Sequence, residues 1–136
     1  MRKSLAAGLL AGAVIGASLA GPAGAADEEK TYGDVTYVCT GIGEERDNPD
    51  WARYPAKVML TTKSGAYVAN AEITIQDQKG ERVLEASCNA PWLLVDLKPG
   101  RYEVSAKVDR YLHREPLIVP ATGQAAITLR FWEIAG

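Results

Sequence analysis

From residue 35 onward, apolar and polar side chains alternate in short runs. Residues 101 to 109 read Arg-Tyr-Glu-Val-Ser-Ala-Lys-Val-Asp, with Tyr102, Val104, Ala106 and Val108 on one parity and charged or polar partners on the other. A period of two is that of a β-strand with one wet face. The same holds for Ala71, Ile73 and Ile75 against Glu72, Thr74 and Gln76, and for Ala125, Ile127, Leu129 and Phe131 against Thr128 and Arg130. Further strands are expected at 35–40, 56–62, 82–88, 91–97 and 115–119. Turn signals separate them at Lys63-Ser64-Gly65, Gln78-Lys79-Gly80, Lys98-Pro99-Gly100 and Thr122-Gly123. Beyond residue 26, no stretch of about ten residues keeps a helical period. A sheet with one apolar face must bury it against another layer, so the expected fold class is all-β: a two-sheet antiparallel β-sandwich of about seven to eight strands.

Parity also assigns sides. If Leu93, Val95 and Leu97 point inward, Trp92, Leu94 and Asp96 lie on the opposite face. There Trp92 and Leu94 either form part of an exposed apolar patch or belong to a strand covered on both faces. Cys88 shares its parity with Leu84 and Ala86, and Cys39 with Val35 and Tyr37, so both thiols face the core.

The first residues follow another pattern. Arg2 and Lys3 precede an uncharged apolar run from Leu5 to Ala20, and Ala23-Gly24-Ala25 supplies the small-x-small sequence that signal peptidases cleave after. Residues 1–25 therefore read as a secretory signal peptide, 26–34 as a flexible mature N-terminus and 35–136 as a single sandwich domain. Gly and Ala richness, Pro22 and the acids from Asp27 onward disfavour a membrane-spanning helix, so no integral membrane segment is expected in the mature chain. The expected localisation is periplasmic or secreted.

Export changes the composition. The full chain has 136 residues, 47% hydrophobic and 24% charged, at a formal net charge of -2. Removing 25 residues, Arg2 and Lys3 among them, leaves 111 residues with 13 Lys or Arg against 17 Asp or Glu, a net charge of -4. Such a surface does not offset phosphates, and no nucleic-acid partner is expected. In an oxidising compartment Cys39 and Cys88 are expected to pair; closing a loop of about 50 residues contributes about 4 kcal/mol in the chain-entropy model. The rival readings are two buried free thiols or a redox pair, the latter disfavoured by a spacing unlike Cys-x-x-Cys.

Leu97-Lys98-Pro99-Gly100-Arg101-Tyr102 resembles the Leu-x-Pro-Gly-x-Tyr corner of carboxypeptidase regulatory-like domains, the transthyretin-like or prealbumin-like β-sandwiches. Pro presets φ for the turn, Gly supplies freedom of φ, and Leu and Tyr flank the turn from the core side. Upstream, Ala69-Asn70-Ala71-Glu72-Ile73-Thr74-Ile75, running on to Gly80, is similar to the family's small-x-Ala-x-Val-x-Val strand and turn. Downstream, Tyr111-Leu112 stands where the family often has Gly-Tyr, and Ala125 to Phe131 fits its last strand. The resemblance spans about residues 56 to 132 and implies a prealbumin-like sandwich. Two segments depart from it: Ser87 to Trp92, and Cys39 to Pro55, which has no counterpart in the minimal domain. They carry both cysteines and two of the three tryptophans.

Candidate chemistry is sparse. Of the enzymes resembling this sandwich, the transthyretin-related hydroxyisourate hydrolases rely on several histidines and a Tyr-Arg-Gly-Ser ending and the intradiol dioxygenases on two His and two Tyr on iron, whereas this chain has only His113 and ends Phe131-Trp132-Glu133-Ile134-Ala135-Gly136. His113 reads as a solvated loop residue between strands. Gly41-Ile42-Gly43 lacks the third glycine and following helix of a phosphate loop. Glu44, Glu45, Asp47 and Asp50 match no calcium-loop spacing, and with Arg46 and Arg53 nearby they read as a solvated acidic loop. No catalytic residue, metal or cofactor is assigned. The candidate binding residues are Trp51, Arg53, Tyr54, Trp92, Tyr111 and Arg114, with Trp132 also outward by parity, because rigid aromatics beside arginines suit protein or sugar contacts. Trp51 and Tyr54 could instead cover a sheet face. The expected function is an exported, non-enzymatic binding module contacting an envelope protein or glycan; the alternative is an inhibitor that plugs a secreted hydrolase with the 44–51 loop.

Overall fold

The computed structural model describes residues 27–68 and 70–135, and the expected signal peptide lies outside them. Among the described residues nine strands form two sheets: β1 (Lys30–Tyr32), β2 (Val35–Thr40), β3 (Ala56–Thr62), β4 (Ala71–Gln76), β5 (Arg82–Cys88), β6 (Trp92–Val95), β7 (Gly100–Val108), β8 (Tyr111–Val119) and β9 (Ala125–Phe131). One sheet runs β1-β2-β6-β3-β9 and the other β5-β4-β7-β8. The result is an all-β sandwich with one strand more than the upper expected number.

The alternating positions meet between the sheets. Val58, Leu60, Leu93 and Val95 from one sheet pack with Ile73, Ile75, Leu84, Val104 and Leu117 from the other, all buried. Each apolar residue thus leaves water without stranding its backbone, because the ladders pair the N–H and C=O groups. Cys39 and Cys88 are disulfide-bonded with Cα atoms 5.5 Å apart, joining β2 of one sheet to β5 of the other.

The structure departs from the sequence expectations in four places. Residues 26–34, expected to be flexible, contain β1, which pairs with β2 through a hairpin at Gly33-Asp34, with Gly33 at φ 61°. Three residues are too few to register as a period. β3 and β9 run parallel, not antiparallel. Parallel neighbours need a long crossover, and the whole second sheet lies between them in sequence. β8 begins at Tyr111, four residues before the expected start, so His113 lies in a strand opposite Ala106 and not in a loop. At this sandwich rim, the inward parity of β8 admits His113 and Glu115 as well as Leu117 and Val119, which hides the alternation. Finally, β6 is buried at all four positions and spans only Trp92–Val95.

The Leu97–Tyr102 corner closes on itself: Leu97 is buried and the Tyr102 hydroxyl donates to the Lys98 carbonyl at 2.7 Å. Partial burial, with the Asp77 charge as a smaller cause, holds this phenol above its ordinary pKa. The corner fixes the crossing from β6 in one sheet to β7 in the other.

Candidate binding surface

The segment between β2 and β3 is built from two 3₁₀ turns, Gly43–Asp47 and Pro49–Arg53. Asn48 divides them: its side chain accepts from the Asp50 N–H, and Pro49 opens the second turn. The segment lies on the outer face of the five-stranded sheet. Trp51 and Tyr54 are buried there with Val38 and Leu94 in a second, smaller core. The Trp51 indole N–H donates to the Glu45 carbonyl at 2.7 Å, and the Gln124 amide donates to the Trp51 and Tyr54 carbonyls at 3.0 and 2.9 Å. Glu29, beside β1, accepts from both the Arg53 guanidinium and the Tyr54 hydroxyl. Burial first, and then the Glu29 carboxylate, raise the Tyr54 pKa well above its ordinary value.

Trp92 lies on the same outer face and is 8% exposed. Gly41 packs flat on it: a Cβ at Gly41 would stand 2.7 Å from the indole ring, and its φ of 105° suits glycine. The Lys57 ammonium sits 3.5 Å from the ring centroid, and burial lowers its pKa. The Trp92 Nε1 and the Thr40 hydroxyl beside it are buried without a hydrogen-bond partner.

The candidate residues therefore do not converge on one site. Trp51, Tyr54 and Trp92 form or underlie the cover, and Arg53 is exposed but paired to Glu29. Tyr111 is half-buried with the Arg110 guanidinium 4.9 Å from its ring centroid. Arg114, exposed on β8, borders a groove of about 450 Å³ on the four-stranded sheet, which Arg101, Asp77 and Glu103 also line. His113 shares its Nε2 with both Glu133 oxygens at 2.7 and 3.0 Å, and its ring meets Phe131 edge-on at 4.7 Å. The hydrogen bond from His113 is the main reason Glu133 sits below its ordinary pKa. No three or more His, Cys, Asp or Glu side chains among the described residues converge where a metal ion could be held.

Parity could find only part of the exposed apolar set. Among the described residues the large exposed hydrophobics are Ile42, Tyr67, Leu112, Ile118 and Trp132. All but Ile118 belong to one end of the sandwich. There the disulfide ties β2 to β5, the Lys63 N–H donates to the Ile134 carbonyl, and His113 meets Glu133. Ile42 and Tyr67 sit in irregular loops, where no period exists to be read; Trp132, one residue past β9, kept its outward parity.

The fold and this surface define an all-β sandwich with an aromatic-bearing end and a covered outer sheet face. No protein family, curated protein or solved structure matches the chain.

Proposed function

We propose that the protein is an exported, non-enzymatic binding module of the cell envelope, periplasmic or secreted, built on a carboxypeptidase regulatory-like (transthyretin-like) sandwich. It contacts a partner protein through the end bearing Ile42, Tyr67, Leu112 and Trp132. The observation that carries this reading is that, among the described residues, four of the five large exposed hydrophobic side chains lie toward that one end, by strand register. Isolated apolar residues on a surface need no explanation, but aromatics grouped beside arginines have the composition of protein contact surfaces. Arg46 and Arg110 lie against Tyr67 and Tyr111 and supply the arginines. The disulfide supports an oxidising compartment, and the Tyr102–Lys98 corner supports the family resemblance.

The inhibitor reading needs the 44–51 loop to project into a cleft. Burial of Trp51 instead holds that loop along the sheet, which favours the binding module. The test is affinity capture from envelope extract with the wild-type protein against Tyr67→Ala and Trp132→Ala, which leave the core intact. A partner retained by wild type and lost by both variants is expected. A partner retained equally by all three, or no partner at all, would overturn the reading.

A further inference from the structure

Within that end lies a groove of about 280 Å³ whose walls are Gly41, Ile42, Tyr67, Val68 and Pro91, with Arg46 at its rim. Its walls are apolar, and its size suits a single branched aliphatic or aromatic side chain. The groove is held from two directions. Gly41 lies flat on the buried Trp92 ring, and Val68 is pinned by its N–H to the Leu60 carbonyl at 3.1 Å. Tyr67 is bridged to Thr61 of β3.

Arg46 supplies the polarity. Its guanidinium stands 5.2 Å from the Tyr67 ring centroid and, among the described residues, ion-pairs with no carboxylate. Glu44, Glu45 and Asp47 are its chain neighbours, and Glu45 takes the Asn48 amide instead. These acids weaken any long-range field, so Arg46 acts as a short-range fork that suits a carboxylate bidentately. The guanidinium borders the apolar groove itself, so the carboxylate must lie close to the inserted side chain. In an extended segment the neighbouring residue's side chain points to the opposite face, so an adjacent Asp or Glu would face away. A chain's terminal carboxylate leaves from the same Cα as the side chain and reaches.

We propose that this groove captures the C-terminal residue of a partner protein, its apolar side chain between Ile42, Tyr67 and Pro91 and its carboxylate on Arg46. The proposal rests on the reading of this end as the contact surface and names the chemistry of the partner.

The experiment titrates the isotope-labelled protein with N-acetyl-L-phenylalanine and, separately, with its carboxamide, following the backbone amides of Gly41, Ile42, Gly43 and Val68. Saturable shifts with the acid are expected, with about tenfold weaker binding of the amide, the size of one charge-assisted contact. Arg46→Gln, on an exposed loop, should bring the acid down to the level of the amide. Equal binding of acid and amide, acid binding unaffected by Arg46→Gln, or no saturable shift at these residues would overturn the proposal. If Tyr67→Ala and Trp132→Ala still abolish partner capture while the acid fails to bind, the contact surface stands and the C-terminal chemistry falls.

Discussion

Trp51 is the side chain on which the covered face depends, and replacing it tests that dependence. The residue is 7% exposed, its ring tilted against that of Tyr54 with centroids 6.1 Å apart, and packed in one cluster with Val38 and Leu94. Burying an aromatic of this size removes roughly 200 Å² of surface from water, about 5 kcal/mol at about 25 cal/mol per Å². The unfolded chain already buries part of that area, and the cover can settle after truncation, so Trp51→Ala should cost about 3 to 4 kcal/mol. Trp51→Phe keeps most of the apolar body and loses the indole bond to Glu45, about 1 kcal/mol. At about 4 °C per kcal/mol for a domain of this size, the expected falls in Tm are about 4 °C for Phe and about 12 to 16 °C for Ala, read by circular dichroism. The effect is global because Val38 and Leu94 belong to β2 and β6, whose other faces line the main core. A fall of less than about 3 °C for Trp51→Ala would refute the reasoning, since the outer face would then be stable without its cover.

Three further outcomes are expected. Alkylation without reductant should leave the mass unchanged, and Cys39→Ser with Cys88→Ser should lower unfolding stability by about 4 kcal/mol in urea titrations through loss of the loop closure. Gly41→Ala must displace the Trp92 ring and adopt a positive φ, so it should destabilise by about 2 to 4 kcal/mol in the same titration, whereas Gly80→Ala, also at positive φ but with open space around its Cβ, should cost only the backbone part. Glu133 has a folded pKa depressed from the ordinary 4.5 by its hydrogen bond from His113, so its contribution is fully present above that value and is lost as pH falls through the folded one; thermal melts between about pH 3 and 6 should show a slope that His113→Phe removes.

Strands with a wet face were legible because an alternating run has one arrangement that hides its apolar side. The boundaries of β2, β3, β5 and β9 coincide with those read from alternation and turn residues. β1 and the first half of β8 were not legible. A three-residue strand carries no period, and in β8 His113, received by Glu133 and Phe131, and the exposed Glu115 share the parity of Leu117 and Val119. For the site, Arg114 and Trp132 were recognisable as exposed, but Tyr67 and Ile42 were not, since loop residues have no parity.

The sequence by itself determined which residues of each strand share a face, that Cys39 and Cys88 both point toward the core, and that a Pro-Gly corner leads into Tyr102. It left open whether the outward face of β6 meets water. Only the tertiary structure decided that, by laying Trp51 and Tyr54, some forty residues away in sequence, over Leu94 and by setting Gly41 on Trp92. The physical reason is that parity follows from backbone geometry within one strand, whereas burial depends on what a distant segment brings to that face. The same packing turned three aromatic candidates into a cover and left Ile42, Tyr67, Leu112 and Trp132 as the apolar side chains available at the end of the sandwich.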